Sequence, residues 1–319
     1  MKVMVTGAGG MVGSHMVELL YSQGYEVLGT YYKPTTNIHE LDPAIKMVEC
    51  DVRYYLSVLR NIMNFQPEQI YHLAAQSYPT VSWDHPQETI ETNVTGTINV
   101  FEAVKEVRRI HPDYDPVVIV ACSSAEYGQT LNELKDPYVK ETAELKPLHP
   151  YGVSKVGQDL LSFQYFMNDH IRCIRVRIFN STGTRKVNDV TSDFTKRAVL
   201  AERSGIYKLR VGNLETKRAI MDQRDLVNGL MLLAENGTAG EVYNLSSEHC
   251  YQIKDIVAMI EMQIRHKFEI EVDPTLLRPT DEKIIIGNID KLKRDTGWSQ
   301  KINMQQTVAD MLDYWRKTL

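Results

Sequence analysis

Lys2 to Gly13 reads KVMVTGAGGMVG. A short run of apolar and β-branched residues ends in glycine, and further glycines recur so that positions 7, 10 and 13 are all glycine. The stretch MVGSHMVELLYSQG (11–24) then places apolar residues at helical spacing and stops at Gly24. A buried strand, a glycine turn and an amphipathic helix, in that order, open a βαβ unit. Glycine lets the backbone turn tightly and come close to a phosphate. The helix start adds unpaired N–H groups and a positive dipole end suited to a pyrophosphate. Gly7, Gly10, Met11, Val12 and Gly13 are therefore candidate dinucleotide-binding residues.

Working outward, YEVLGTYY (25–32), QIYHLAA (69–75), PVVIVACSS (116–124) and CIRVRIFN (173–180) read as further buried strands. Helical patterns such as NVTGTINVFEAVKEVRR (93–109) and YGVSKVGQDLLSFQYFM (151–167) lie between them. Alternation of this kind, with continuous apolar strands, predicts an α/β fold: a Rossmann doubly wound parallel sheet. After about residue 180 the rhythm loosens, and STGTRKVNDVTSDF (181–194) reads as a polar loop. QIKDIVAMIEMQI (252–264) and TVADMLDYWRKTL (307–319) read as helices. The expected division is residues 1–179 as the dinucleotide-binding domain and 180–319 as a smaller C-terminal α/β substrate domain. A strand near 240–247, EVYNLSS, is expected to return to the large sheet.

Composition narrows the function classes. The 319 residues carry 36 basic and 41 acidic side chains, a net charge of −5. Nothing there draws the whole chain to nucleic acid or to an anionic membrane. No apolar run reaches the roughly 18 residues of a membrane span, and the apolar opening is too short for a signal peptide. Cys50, Cys122, Cys173 and Cys250 are scattered, without metal-ligand spacing. That pattern fits small apolar residues in a reducing cytoplasm, with no metal expected.

The second strand ends VLGTYYK (27–33), with Gly29 and Thr30 where an acid would select NAD, then Lys33; Thr30, Tyr31 and Lys33 are cofactor candidates. Without a carboxylate to repel a 2′-phosphate, NADP(H) is favoured over NAD(H). Asp51 and Val52, in CDVR after the third strand, are placed to meet the adenine. Further on, Tyr151 and Lys155 stand four apart on one helix face, downstream of the serines at 123 and 124. An ammonium near a phenol favours phenolate and lowers the tyrosine pKa. Tyrosine can then move a proton at a carbinol oxygen while a nicotinamide moves hydride.

The ordered set of the glycine loop, HLAAQS (72–77), ETNVTGT (91–97), SSAEYG (123–128), PYGVSK (150–155) and RIFNSTG (177–183) resembles the extended short-chain dehydrogenase/reductase family. The similarity runs over nearly the whole chain. AAQSYPTVSW, VGNLETKR and LRPTDEKIIIG look most like the branch acting on GDP-linked hexoses, which holds 4,6-dehydratases and 4-keto-6-deoxy-sugar reductases. The resemblance implies Ser123 as the catalytic hydroxyl, Tyr151 as acid/base and Lys155 as the residue that holds the nicotinamide ribose. It adds Leu73, Ala74, Ala75, Asn93 and Ile178 to the cofactor site. It puts Ser77, Ser124, Asn180, Arg218, Arg278 and Asp281 around a GDP-linked sugar. It also implies a homodimer or higher homo-oligomer. NSTGT (180–184), Ala219 and Ile220 depart from the family pattern, which leaves the particular sugar open.

Dehydratases of this family place a glutamate two residues before the tyrosine of the YG pair. It removes the C5 proton. Here that position is Ala125, and the neighbour is Glu126. In an extended segment Glu126 would face the opposite way. The expectation is therefore an NADP(H)-dependent 4-ketohexose reductase. The alternatives are a GDP-mannose 4,6-dehydratase using Glu126, a C4 dehydrogenase or epimerase of another nucleotide sugar, and a non-catalytic dinucleotide-binding regulator. The intact Ser123, Tyr151 and Lys155 argue against the last.

Overall fold

A computed structural model describes residues 1–276 and 282–319. Seven strands form the large sheet: β1 (Lys2–Thr6), β2 (Glu26–Tyr31), β3 (Lys46–Glu49), β4 (Gln69–His72), β5 (Val117–Ser123), β6 (Cys173–Ile178) and β7 (Val242–Leu245). Their spatial order is β7-β6-β5-β4-β1-β2-β3, and every pairing is parallel. The expected doubly wound α/β sheet is present, and its winding reverses between β1 and β4. Open sheets of this kind bind ligands outside the carboxyl ends at that reversal.

The main helices are α1 (Met11–Ser22), α2 (Tyr55–Phe65), α3 (Gly96–Ile110), α4 (Pro150–Asp169), α5 (Val190–Ser204), α6 (Gln223–Asn236), α7 (Ile253–Ile264) and α8 (Met304–Thr318). Met16, Val17 and Leu20 of α1 pack with Leu226, Leu230 and Leu233 of α6 in the core on one sheet face. Val58 and Ile62 of α2 pack with Val100, Phe101 and Val104 of α3 in the other, where Tyr165 of α4 stacks on Phe101 at 4.7 Å. A separate core joins Phe194 and Ala198 of α5, Ile256 and Ile260 of α7, and Val308, Leu312 and Trp315 of α8.

The strand expected near 240–247 does return to the large sheet, and other segments cross the division at 179/180 as well. α6 and β7 lie with the large sheet, β7 paired to β6 with Leu245 opposite Ile178. In the other direction, Tyr138–Val139 joins a small sheet with Ile284–Gly287, Lys217–Arg218 and Tyr251–Gln252.

Two local expectations need correction. The polar run 181–194 is not all loop. Helix α5 starts at Val190, because Asp189 caps it by accepting from the Ser192 N–H at 2.6 Å. The segment after β5 is not extended either. Ser124–Glu126 form a 3₁₀ turn, closed from both sides. Ser123 Oγ accepts from the Ala125 N–H at 3.2 Å, and Glu126 Oε1 accepts from the Ser123 N–H at 2.8 Å.

The glycine loop shows why its spacing matters. Gly7 has φ 71°, a left-handed conformation, and a Cβ there would lie 2.7 Å from the Ala74 nitrogen. A Cβ on Gly13 would lie 2.1 Å from the Gly7 carbonyl oxygen. Helix α1 can therefore sit directly under the loop only because position 13 is bare. Gly13→Ala should cost about 1–3 kcal/mol by overpacking, read as a lower urea midpoint at unchanged slope, and should weaken dinucleotide binding by lifting the loop off the helix.

Candidate active site

The carboxyl ends of four strands pair two by two, with β5 and β6 running past the end of β4. Thr6 of β1 lies beside His72 of β4, and Ser123 of β5 beside Ile178 of β6. The elements that follow these ends carry most of the candidate residues.

Helix α4 delivers Tyr151 and Lys155. It begins at Pro150, a residue with no N–H to leave unpaired, and His149 caps it by accepting from the Gly152 N–H at 3.0 Å. A Cβ on Gly152 would lie 2.8 Å from the Ala125 carbonyl oxygen, so the helix start and the Ser123 turn are in contact. Tyr151, Lys155 and Ser123 are all buried. The Lys155 Nζ donates to the Ala121 carbonyl at 2.8 Å and to Gln158 Oε1 at 2.7 Å, and lies 5.8 Å from the centre of the Tyr151 ring.

The electrostatics of this trio run against the expectation from spacing. Burial pushes the Tyr151 phenol up to about 12, with the Ser123 hydroxyl opposing the rise. Burial also brings the Lys155 ammonium down to about 8. Burial is the largest influence on both groups.

Asn93 sits in a π-helical turn, Glu91–Thr95, that leads into α3. Its amide accepts from the Gln76 N–H at 2.8 Å and donates to the Gln76 carbonyl at 3.0 Å and to Ser154 Oγ at 2.8 Å. It thus ties the β4 loop to α4. His72, which the sequence reading missed, is fully buried between Thr6 and Thr97, with ring nitrogens 2.9 and 3.0 Å from their hydroxyls. Burial lowers it to about 3, so it is a neutral hydrogen-bonding strut.

The residues at the β1–β2 edge fit a dinucleotide. Thr30 is buried at the end of β2, level with Thr6, and its hydroxyl has no hydrogen-bond partner. Ala74 closes on Gly7, and Leu73 and Ala75 flank it. Buried Val52 packs against Gly96, and Ile178 ends β6 beside Ser123. Tyr31 is half-buried and Lys33 exposed, with its Nζ 5.3 Å from the Tyr32 ring centre. Sequence reasoning missed Arg53, whose guanidinium lies 5.6 Å from the same ring and forms an ion pair with Asp51 at 2.7 Å. Asp51 also accepts the Arg53 N–H at 3.0 Å, so its carboxylate is largely occupied.

At the nucleotide end, Arg218 lies in the small sheet and donates to the Glu282 carbonyl at 2.7 Å. Asn180 is exposed, and its carbonyl accepts from the Met221 N–H at 3.0 Å. Ser77 is exposed and Ser124 half-buried in the turn. Arg278 and Asp281 lie outside the described residues.

Glu126 points inward. It is fully buried, and its Oε2 lies 3.1 Å from the Arg177 Nε. That guanidinium also pairs with Asp159 of α4 at 2.9 Å and donates to the Tyr127 hydroxyl at 3.1 Å and to the Glu141 carbonyl at 2.9 Å. Arg175 completes the set with a 2.6 Å contact to Asp159. Cys122, Glu126 and Asp159 bring possible ligand atoms within 4.8 Å of one another, but Arg177 already neutralises the carboxylates. Two arginines at alternate positions of an otherwise apolar strand, CIRVRI, were the sequence signal for this network.

Comparison with known proteins follows this geometry closely. The GDP-mannose 4,6 dehydratase family model matches residues 4–311. The chain belongs to that family. A GDP-6-deoxy-D-mannose reductase of Pseudomonas aeruginosa is 25% identical over 98% of this chain and 97% of its own length. GDP-mannose 4,6 dehydratase 1 of Arabidopsis thaliana is 26% identical over 97% of this chain and 88% of its own. Among solved structures, RMD from Pseudomonas aeruginosa complexed with NADPH superposes with a TM-score of 0.84 at 23% identity, covering 100% of this chain and 99% of that one. A Thermotoga maritima UDP-glucose 4-epimerase with UDP-glucose reaches 0.90 at 22%, covering 100% and 99%. The family is one of NAD(P)-dependent short-chain dehydrogenases/reductases, and no described helix is long and apolar enough to cross a membrane.

The lowered Lys155 pKa has a stability consequence. Between about 8 and 10.5, the folded form holds fewer protons at this site than the unfolded chain, so its contribution to stability rises with pH. Below about 8 the buried ammonium imposes its full cost. Lys155→Met should therefore gain stability over the unsubstituted protein at pH 7, and the gain should shrink by pH 9.5. Guanidinium unfolding at both pH values measures the difference.

Proposed function

We propose that this member of the family reduces the C4 ketone of a GDP-linked 4-keto-6-deoxyhexose, using NADPH. The observation that carries the reading is the direction of the only carboxylate in the Ser123 turn. Position 125 is alanine, and Glu126 turns inward to Ser123 N–H and Arg177. A dehydratase needs a base at sugar C5, and this turn presents none. Reduction at C4 needs none there.

When bound, the nicotinamide supplies the hydride to C4. The chain's own residues handle the proton. The Tyr151 hydroxyl gives its proton to the C4 oxygen as the C–H bond forms, and the alcohol results. Its raised pKa keeps the phenol protonated and ready to donate at neutral pH. Ser123 hydrogen-bonds the same oxygen and holds the ketone against the phenol. Lys155, fixed by Ala121 and Gln158, would hold the nicotinamide ribose and offset the phenolate left behind. Arg218 and Asn180 would meet the diphosphate, where charge-assisted contacts are strongest. The GDP-6-deoxy-D-mannose reductase among the relatives and the NADPH-bound solved structure support the same direction.

Purified protein should oxidise NADPH when given GDP-4-keto-6-deoxy-mannose and yield the 4-hydroxy product by mass and NMR, and it should leave GDP-mannose unchanged. Tyr151→Phe should lower kcat roughly 10²–10⁴-fold with NADPH binding retained. A 4-keto-6-deoxy product formed from GDP-mannose would instead make the protein a dehydratase.

Cofactor preference rests on the cations at the end of β2. Lys33 and Arg53 both lie near the Tyr32 ring, where an acid would have favoured NAD. Calorimetric titration should give tighter binding of NADPH than NADH. Lys33→Ala combined with Arg53→Ala should erase most of that difference while changing NADH affinity little.

A further inference from the structure

We infer that Glu126 is a positioning residue that fixes the Ser123 hydroxyl against Tyr151 by clamping the turn between them to Arg177. This rests on the reductase reading for its kinetic side only. The clamp has two jaws. Oε1 accepts from the Ser123 N–H at 2.8 Å, the last backbone donor of β5 before the turn. Oε2 meets Arg177, which also holds Asp159 of α4. Asp159 stands one turn beyond Lys155 on the helix that carries Tyr151. One guanidinium therefore connects the serine-bearing turn to the tyrosine-bearing helix through two carboxylates, all fully or almost fully buried.

The rest of the turn depends on this clamp. Ser123 Oγ is bonded to the Ala125 N–H, and the Ala125 carbonyl touches the bare face of Gly152, next to Tyr151. If the turn loosens, the serine hydroxyl and the helix start separate together. Burial and the neighbouring Asp159 both push the Glu126 carboxyl above its usual range. Its two oxygens serve two donors, the Ser123 N–H and the Arg177 Nε. Glutamine keeps an acceptor for one donor but turns its NH2 toward the other, so it holds one jaw and loses the second; leucine loses both.

Two variants, each alone and with Ser123→Ala, test this in the full-length protein. Glu126→Gln, which keeps one jaw, should lower kcat several-fold less than Glu126→Leu does, and Ser123→Ala should still cost activity in its background. Glu126→Leu should lower kcat about 10- to 100-fold, the scale of a misplaced catalytic group, with the NADPH dissociation constant little changed. In the Leu background, Ser123→Ala should cost almost nothing further, because the serine is already out of place. Hydrogen exchange of residues 121–129, which needs no substrate, should quicken most in Glu126→Leu and less in Glu126→Gln.

Additive costs of the Leu and Ser123 changes would overturn the proposal, as would unchanged exchange in the Leu variant. If Glu126→Leu does not fold, the Gln variant decides. A folded Gln variant whose kcat and exchange both match the unsubstituted protein would then remove the clamp as the explanation. Failure of the reductase reading looks different. The unsubstituted protein would then leave the 4-keto substrate untouched, and the exchange experiment would still judge the clamp.

Discussion

The Arg177 guanidinium is the contact around which this active site is built. It pairs with Glu126 and Asp159 and reaches Tyr127 and Glu141, almost wholly out of water. Burying such charges costs several kcal/mol per ion, repaid only when every partner is in place. The arrangement is therefore close to all-or-none. It joins β6, the turn after β5 and α4, and through Glu141 the segment that feeds the small sheet. Tyr127 extends the junction by donating to Asn244 of β7 at 2.6 Å, and Asn244 in turn donates to the Val139 carbonyl at 2.8 Å. The large sheet, the catalytic helix and the small sheet thus share one buried polar network.

That network explains how a dry site can hold its proton chemistry steady. Tyr151 and Lys155 are both pushed toward their neutral forms by burial. A neutral phenol is a proton donor, which suits reduction of a ketone more than oxidation of an alcohol. The lysine is kept straight by a backbone carbonyl and Gln158, so its position does not depend on its charge. His72, held neutral between two threonine hydroxyls, braces β4 against β1 and α3 in the same manner. Hydrogen bonds fix the geometry here, and burial fixes the protonation.

Much of the fold was legible in the sequence because its signals are local. A glycine whose Cβ would strike the next backbone leaves a fixed spacing, and parallel strands buried on both faces leave continuous Val and Ile runs. The pairing of Tyr138–Val139 with a strand nearly 150 residues later left no such signal. Strands of two residues carry no periodicity. The start of α5 was hidden because its cap, Asp189, sits in a run of polar residues that also suits a loop. In the site, Ser123, Tyr151 and Lys155 were readable from motif and helix spacing. The Arg177–Asp159 pair was marked only by the two arginines of an apolar strand, since an ion pair between distant segments is a property of the folded chain. Arg53, two residues from its partner Asp51, meets the Tyr32 ring only through folding. The pKa directions were missed for the same reason, as burial outweighs the one neighbour that spacing reveals.

The turn after β5 shows how little separates two chemistries on this scaffold. A strand-parity argument assigned Glu126 to the face away from the sugar, yet the segment is no strand. The residue turns inward because a 3₁₀ turn puts its third side chain back over the cap, where the Ser123 N–H and Arg177 are waiting. The preceding residue, Ala125, meets α4 through its backbone carbonyl, which lies against Gly152, and its side chain carries no carboxylate. The carboxylate one residue later is consumed by the fold. Where the acid stands in one short turn therefore decides whether it is taken up by the Ser123 N–H and Arg177.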